Sequence, residues 1–197
     1  MTWIETIPEG AAVGPLDNLY RAIKGPNGKV DHILKAHSLR PHSLKGHMEL
    51  YKNVLHHSGN ELPKWFLEYL GVWVSWLNHC SYCVDHHRAG LNRLLKDEKR
   101  SDQLWQAITN GQFEHSLQAD QCAAMDYAKT LTLHPRGCTA SDIEKMRRSG
   151  FNDGMILEVN QVVAYFNYAN RTVLGLGVEV DGETLGLSPQ GESWQHQ

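Results

Sequence analysis

Apolar residues recur along most of this chain every three or four positions, and short polar or Gly- and Pro-containing segments separate the apolar runs. This period is typical of amphipathic helices, whereas an alternation of every second residue, typical of strands, is hinted at only in residues 178–180. The clearest helical patterns cover residues 43–57, 63–78, 118–133 and 153–174. A further helix is predicted over 102–109, and the charged run 96–100 before it is expected to be solvated surface. We therefore predict an all-α fold of about eight helices without β-α-β alternation.

The most apolar of these segments leads directly to a pair of cysteines. Residues 65–77 are apolar on most sides of a helix, which predicts that this helix is buried. Its apolar content exceeds what one small helical unit can cover. We therefore also expect the chain to form homo-oligomers.

A second segment of the chain repeats features of this helix. A Leu-Glu pair opens both apolar runs, at Glu68 and at Glu158, and a Ser-Gly helix stop precedes each run. Asn170 occupies in the second run the place that Cys80 has in the first. Two copies of one helical unit explain this economically, and chance similarity between two buried helices is the alternative. We predict one domain, 1–197, whose first unit spans about 30–95 with the thiols and whose second spans about 118–178 without them.

Charge and length narrow the possible functions. The chain has 197 residues with 19 basic and 22 acidic side chains, a formal net charge of -3, and no long block of either sign. This balance gives no electrostatic footprint for nucleic acid or a membrane surface. The first residues lack a signal sequence, and no apolar run approaches the roughly 20 residues that span a bilayer, so we expect a soluble cytoplasmic protein. In a reducing cytosol, a Cys-x-x-Cys pair is more often catalytic or metal-bound than structural.

The pair formed by Cys80 and Cys83 carries the candidate chemistry. Asn78 and Ser81 are capping residue types, which predicts that the helix containing Cys83 begins between them. The helix N-terminus would then lower the pKa of the Cys83 thiol and favour the reactive thiolate. His87 follows one turn later on the same face and can accept the thiol proton. Cys80, just outside the helix, can attack a sulfenic acid on Cys83 and close a disulfide.

Glu68 lies inside the most apolar helix, twelve residues before Cys80. A carboxylate in such a setting needs a partner, and the nearest ionisable candidates are His79, His86 and His87. If it reaches His87, Glu68 can orient the ring and stabilise the transferred proton, as the third member of a catalytic triad does. The alternative is that Glu68 lies on an exposed strip of its helix.

The same residues also allow a metal-binding interpretation. Cys80, Cys83, His86 and His87 form a chemically suitable zinc set. The two adjacent histidines point about 100 degrees apart on a helix, however, and a second Cys-x-x-Cys pair is missing. Heme attachment would require histidine at the position of Val84. The other histidines are interpreted as bystanders, surface residues or satisfied core residues: His37, His42, His47, His56, His57, His79, His115 and His134.

The spacing of Glu68, the two cysteines and His87 matches a known signature. The pattern Glu…Cys-x-x-Cys-x-x-x-His resembles that of the alkylhydroperoxidase AhpD-like proteins in the carboxymuconolactone decarboxylase superfamily, and the whole chain is most similar to the peroxidase-related branch. The similarity extends over about residues 15–180 and includes residues 166–171, which resemble the family's second repeat. It implies an all-helical AhpD-like bundle with a duplicated helical unit.

The resemblance implies thiol-dependent reduction of alkyl hydroperoxides. Cys83 would be the peroxidatic thiol, activated by Glu68 through His87 and a water molecule, and Cys80 would be the resolving thiol. No cofactor is implied beyond the redox-active disulfide, which an external dithiol would reduce; in some family members this donor is a lipoyl protein. Family members typically assemble through trimers. Between the two cysteines, peroxidase members of the family often have a histidine, whereas this chain has Tyr82. This departure puts in doubt whether the substrate handling or the electron donor is the same.

Three functions are therefore open at the level of the sequence. The first is a thiol-dependent peroxidase. The second is a general disulfide oxidoreductase or redox sensor that uses the same cysteine pair. The third is a non-enzymatic helical module that binds zinc. Lactone decarboxylation is disfavoured, because the decarboxylases of the superfamily lack the cysteine pair.

Overall fold

A computed structural model describes residues 2–25 and 27–186, and all regular secondary structure in these ranges is helical. The nine α-helices of this part are α1 Gly14–Ile23, α2 His32–Ala36, α3 Pro41–His56, α4 Lys64–Leu77, α5 Ser81–Leu95, α6 Glu98–Asn110, α7 Ala119–Leu133, α8 Ala140–Arg148 and α9 Asp153–Leu176. The predicted all-α class is confirmed. Residues 178–180, whose alternating pattern hinted at a strand, do not form one.

One helix begins earlier than its apolar pattern predicts. The pattern placed the start of α6 at residue 102, whereas the helix begins at Glu98. Asp97 is the reason, because its Oδ1 accepts a hydrogen bond from the Arg100 N–H at 3.0 Å and so caps the first turn. The charged run 96–100 is mostly exposed, as expected, and its last three residues are also helical.

Helix α4 lies at the centre of the fold and packs against α5, α7 and α9. Every residue from 66 to 75 is buried, as the apolar pattern predicted. Two polar side chains within it are satisfied inside the core, since Tyr69 donates to the Leu104 carbonyl at 2.8 Å and Trp73 to the Met125 carbonyl at 3.1 Å. Within a single chain α4 is therefore buried from residue 66 to residue 75, whereas Trp76 near its end is 38% exposed. Homo-oligomer formation itself stays a prediction.

Helix α9 has 24 residues and runs alongside α4, which brings the second apolar segment next to the first. It begins where the Asn152 side chain accepts a hydrogen bond from the Met155 N–H, and it ends at Gly177, whose φ of +60° is left-handed. Asn170 is carried to the junction of α4 and α5, where its Nδ2 donates to Ser75 Oγ at 3.0 Å. Across the described ranges, none of the helices has both the length and the apolarity needed to cross a membrane.

Candidate redox site

A tight turn between α4 and α5 places both cysteines. His79 is exposed and has a left-handed φ of 56°, which reverses the chain after α4. Cys80 is then the N-cap residue of α5, and its N–H donates to the Ser75 carbonyl at 2.9 Å. The helix start matches the prediction, but Asn78 does not cap it. The Asn78 amide instead donates to Asn170 Oδ1 at 2.9 Å and so ties the turn to α9.

The two thiols are adjacent and almost completely buried. The sulfurs of Cys80 and Cys83 are 2.7 Å apart, within hydrogen-bonding distance, and both cysteines are free thiols. Cys80 is 0% and Cys83 3% exposed. Ala36, Val173 and Val178 pack around them, so elements distant in the sequence close over the pair.

Burial changes the expected acidity of the thiols. It raises the pKa of the Cys83 thiol well above its usual value, and the neighbouring Cys80 sulfur adds to this increase. The hydrogen bond between the two sulfurs lowers the pKa of Cys80. The prediction that the helix N-terminus lowers the pKa of Cys83 is therefore wrong, because burial outweighs the backbone hydrogen bond that lowers this pKa. Cys83 keeps its proton until a nearby base removes it.

Glu68 and His87 form a direct pair across α4 and α5. Glu68 Oε2 lies 2.7 Å from His87 Nδ1, and Glu68 is only 4% exposed, so the alternative of an exposed strip is excluded. Burial alone would raise the pKa of Glu68, but the charge and the hydrogen bond of His87 outweigh it and lower the pKa. An Nδ1–H bonded to the carboxylate leaves Nε2 of His87 as the nitrogen that can accept a proton.

A cavity of about 60 Å³ connects this pair with one of the two sulfurs. Cys83, His87 and Glu68 all line it, whereas Cys80 does not. At roughly 10–15 Å³ for each water molecule, it holds a few waters or a small substrate. The rest of the wall is largely aromatic and apolar and includes Ile33, Leu34, Met48, Tyr51, Tyr165, Phe166 and Ala169. The four predicted site residues thus converge, with Cys83 rather than Cys80 facing the cavity; their catalytic roles stay predictions.

His86 and Tyr82 both face Glu183, which follows α9 in the chain. His86 Nε2 lies 3.5 Å from Glu183 Oε2, and its ring stacks on Tyr82 with the centroids 4.5 Å apart. The Tyr82 hydroxyl accepts a hydrogen bond from the Ile33 N–H at 3.2 Å and lies 3.4 Å from Glu183 Oε1. Tyr82 therefore connects the cysteine pair to the chain segment after α9.

The alternative zinc set is not assembled. His86 is directed to Glu183 and His87 to Glu68, so neither imidazole joins the two sulfurs. More generally, within residues 2–25 and 27–186 no group of three or more His, Cys, Asp or Glu side chains is arranged to hold a metal ion.

One histidine at the site was missed by sequence reasoning. His56 was interpreted as a surface or satisfied core residue, yet its Nε2 lies 3.6 Å from Glu68 Oε1. Burial lowers the pKa of His56 to about 4, so the ring is neutral at pH 7. No motif pointed to it, because His56 belongs to α3 and reaches Glu68 only through the packing of α3 on α4.

Comparison with known proteins identifies the fold. Neither a family model nor a curated protein matches this chain. An alkylhydroperoxidase AhpD core, an uncharacterized peroxidase-related protein from Ralstonia eutropha JMP134, superposes with a TM-score of 0.78 and 21% identity over 90% of this chain and 91% of that chain. An uncharacterized peroxidase-related protein from Silicibacter sp. TM1040 gives 0.76 and 25% over 90% and 91%. The debrominase Bmp8 gives 0.72 and 15% over 92% and 91%. The resemblance seen in the sequence is confirmed at the level of structure, and the chain has the AhpD-like fold.

Proposed function

We propose that this protein is a thiol-dependent peroxidase that reduces hydrogen peroxide or small alkyl hydroperoxides. One observation carries the proposal: Cys83, with a second thiol 2.7 Å away, lines the same cavity as the buried Glu68–His87 pair. Two structures of the same fold are described as peroxidase-related proteins, which is consistent with this chemistry.

The first step activates and oxidises Cys83. His87 Nε2 takes the Cys83 proton, directly or through a water, and the Glu68 carboxylate stabilises the resulting imidazolium. The Cys83 thiolate attacks the outer peroxide oxygen, the O–O bond breaks, and the alkoxide leaving group takes the proton back from His87. The products are an alcohol and a sulfenic acid on Cys83, so the sulfur has lost the two electrons that the peroxide gained.

The second step forms the disulfide. Cys80 attacks the Cys83 sulfur and gives up its thiol proton, the S–O bond breaks, and the departing hydroxide takes that proton to become water. The short distance between the sulfurs favours this step over further oxidation. An external dithiol, in our proposal a small molecule or a lipoyl-type protein, then donates two electrons and two protons and becomes a disulfide itself.

The test is consumption of peroxide in the presence of a dithiol such as dithiothreitol. We expect the wild type to turn over, Cys83→Ser to lose turnover, and Cys80→Ser to stop at a sulfenic acid that dimedone labels on Cys83. Cys122→Ser is the matched control, because that cysteine is partly buried in α7 and does not line the cavity. Wild-type rates in Cys83→Ser would overturn the proposal. Faster exchange with protein disulfides than with any peroxide would favour a general oxidoreductase instead.

A further inference from the structure

The Glu68 carboxylate lies between two histidines. Its Oε2 is 2.7 Å from His87 Nδ1, and its Oε1 is 3.6 Å from His56 Nε2. The side chains are almost completely enclosed, with 5% exposure for Glu68 and 15% for His56. Among the contacts of the described residues, His56 Nε2 is a buried nitrogen without a hydrogen-bond partner. A buried polar atom left unpaired is unfavourable, and Glu68 Oε1 is an acceptor that lies 3.6 Å from it.

The charge state of His56 suits a donor role. The ring is buried and neutral at pH 7, so one of its nitrogens carries a hydrogen and can donate it to a carboxylate. A closure of roughly 0.6 Å would bring the two atoms to an ordinary hydrogen-bond distance of about 3.0 Å. Other charged or titratable groups act on the pair from three helices: Tyr51 and Lys52 in α3, Lys64 in α4 and Arg93 in α5.

We propose that His56 is a positioning residue that holds Glu68 Oε1, so that Oε2 stays directed at His87. Without this donor, the carboxylate loses one of its neighbours inside the core, can turn away from His87, and carries its charge less favourably. His87 would then be a weaker base for the Cys83 proton. The reaction step rests on the proposed function, whereas the effect on Glu68 and His87 does not.

The experiment compares three variants by two readouts that need no peroxide. His56→Leu removes the donor, His56→Gln replaces it with an amide N–H of similar reach, and His42→Gln is the control, because His42 is exposed on the same helix. The readouts are the NMR titration of the His87 ring and the pH profile of Cys83 alkylation by iodoacetamide, located by mass spectrometry. We expect His56→Leu to slow alkylation at pH 7 about tenfold and to shift the His87 titration, and the two other variants to stay within about twofold of the wild type.

A folded His56→Leu protein with the wild-type His87 titration and Cys83 profile would overturn the proposal. If His56→Leu does not fold, His56→Asn takes its place, since the shorter amide falls short of Glu68; equal behaviour of the Asn and Gln variants then counts against positioning. Absence of peroxide turnover in the wild type would reject the proposed function alone, because the comparison of the variants still decides the role of His56.

Discussion

Gly71 in α4 leaves the space that the ring of Phe166 in α9 occupies. A Cβ atom at position 71 would lie 2.1 Å from Phe166 Cζ, far inside van der Waals contact. Phe166 is fully buried and packs edge-on against His87 with ring centroids 4.5 Å apart. The missing side chain at Gly71 therefore determines, through one phenyl ring, where the imidazole of the candidate site lies.

We expect Gly71→Ala to destabilise the fold by about 1–3 kcal/mol, because the overpacked ring must move. It should also reduce the alkylation rate of Cys83, since His87 moves with Phe166. Gly46→Ala is the matched control: Gly46 is exposed within α3 with nothing within 4 Å of the added Cβ, so alanine should stabilise by about 0.5–1 kcal/mol. Urea unfolding measures both values. A Gly71→Ala protein as stable as Gly46→Ala would show that the ring moves aside at no cost.

The Tyr82 hydroxyl connects the cysteine pair to the segment that covers it. It accepts from the Ile33 N–H, and Glu183 on its other side also contacts His32 and His86. We expect Tyr82→Phe to lower the free energy of unfolding by about 1 kcal/mol, because the partly buried Ile33 N–H loses its acceptor. The chain segment after α9 should then move away from the cysteine pair more often. The rate of reaction with Cys83 should therefore increase more for a bulky maleimide than for the small reagent iodoacetamide.

Tyr127→Phe is the control for this change. The Tyr127 hydroxyl in α7 accepts a 2.6 Å hydrogen bond from Asn160, and the residue does not line the cavity. Loss of this hydroxyl should lower the free energy of unfolding by a similar amount. It should not alter the ratio of the maleimide rate to the iodoacetamide rate at Cys83. If both tyrosine variants change that ratio equally, the effect comes from a general loss of stability and not from movement of the segment after α9.

Local spacing was sufficient to predict which side chains lie together at the candidate site. Cys83 and His87 are one helical turn apart, and the buried Glu68 needed a charged or hydrogen-bonding partner, which the histidines of the following segment offered. The apolar pattern of α4 also predicted its burial. Each of these inferences uses neighbours within about twenty residues along the chain.

Properties set by distant segments could not be predicted in this way. The pKa of Cys83 is raised because Ala36, Val173 and Val178 exclude water from the sulfurs, and no local pattern indicates that these residues meet there. His56 likewise reaches Glu68 only through the packing of α3 on α4. Local reasoning therefore identified residues that lie together at the candidate site, whereas their acidity depends on tertiary contacts.

Two buried histidines should make the protein sensitive to mild acid. Burial lowers the pKa of His47 to about 3 and that of His56 to about 4, while an unfolded chain protonates histidine near pH 6.5. Below pH 6.5 the unfolded state therefore binds protons that the folded state does not, and stability falls as the pH decreases toward 4. Each histidine should lower the free energy of unfolding by roughly 2 kcal/mol between pH 6.5 and 5.

Urea unfolding at pH 7.5 and pH 5.0 tests this for His47. The His47→Gln protein should lose about 2 kcal/mol less than the wild type between the two pH values, because its buried group no longer titrates. His42→Gln, exposed on the same helix, should lose as much as the wild type. An unchanged loss in His47→Gln would mean that His47 accepts its proton without unfolding.

Glu158 lies at the place in the second apolar run that Glu68 has in the first. Its carboxylate binds backbone N–H groups and not a histidine. Its Oε1 accepts from the Glu61 N–H at 2.8 Å and its Oε2 from the Leu62 N–H at 2.9 Å, just before α4 begins. Two carboxylates at matching positions of the proposed repeat therefore have different partners. One binds the loop that leads into α4, and the other binds the candidate base.

Exchanging each glutamate for glutamine should separate these two roles. In Glu158→Gln the new amide NH₂ faces a backbone N–H, so one hydrogen bond becomes a repulsive contact and we expect a loss of roughly 1.5–3 kcal/mol in unfolding free energy. Peroxide turnover per folded molecule should stay near the wild-type value, because the cavity does not include this residue. Glu68→Gln should instead lower turnover at least about tenfold, since a neutral amide cannot stabilise the imidazolium of His87. Urea unfolding and peroxide turnover, measured on the same preparations of both variants, test the two predictions. Equal losses of activity in both variants would mean that Glu68, like Glu158, contributes only to the stability of the fold.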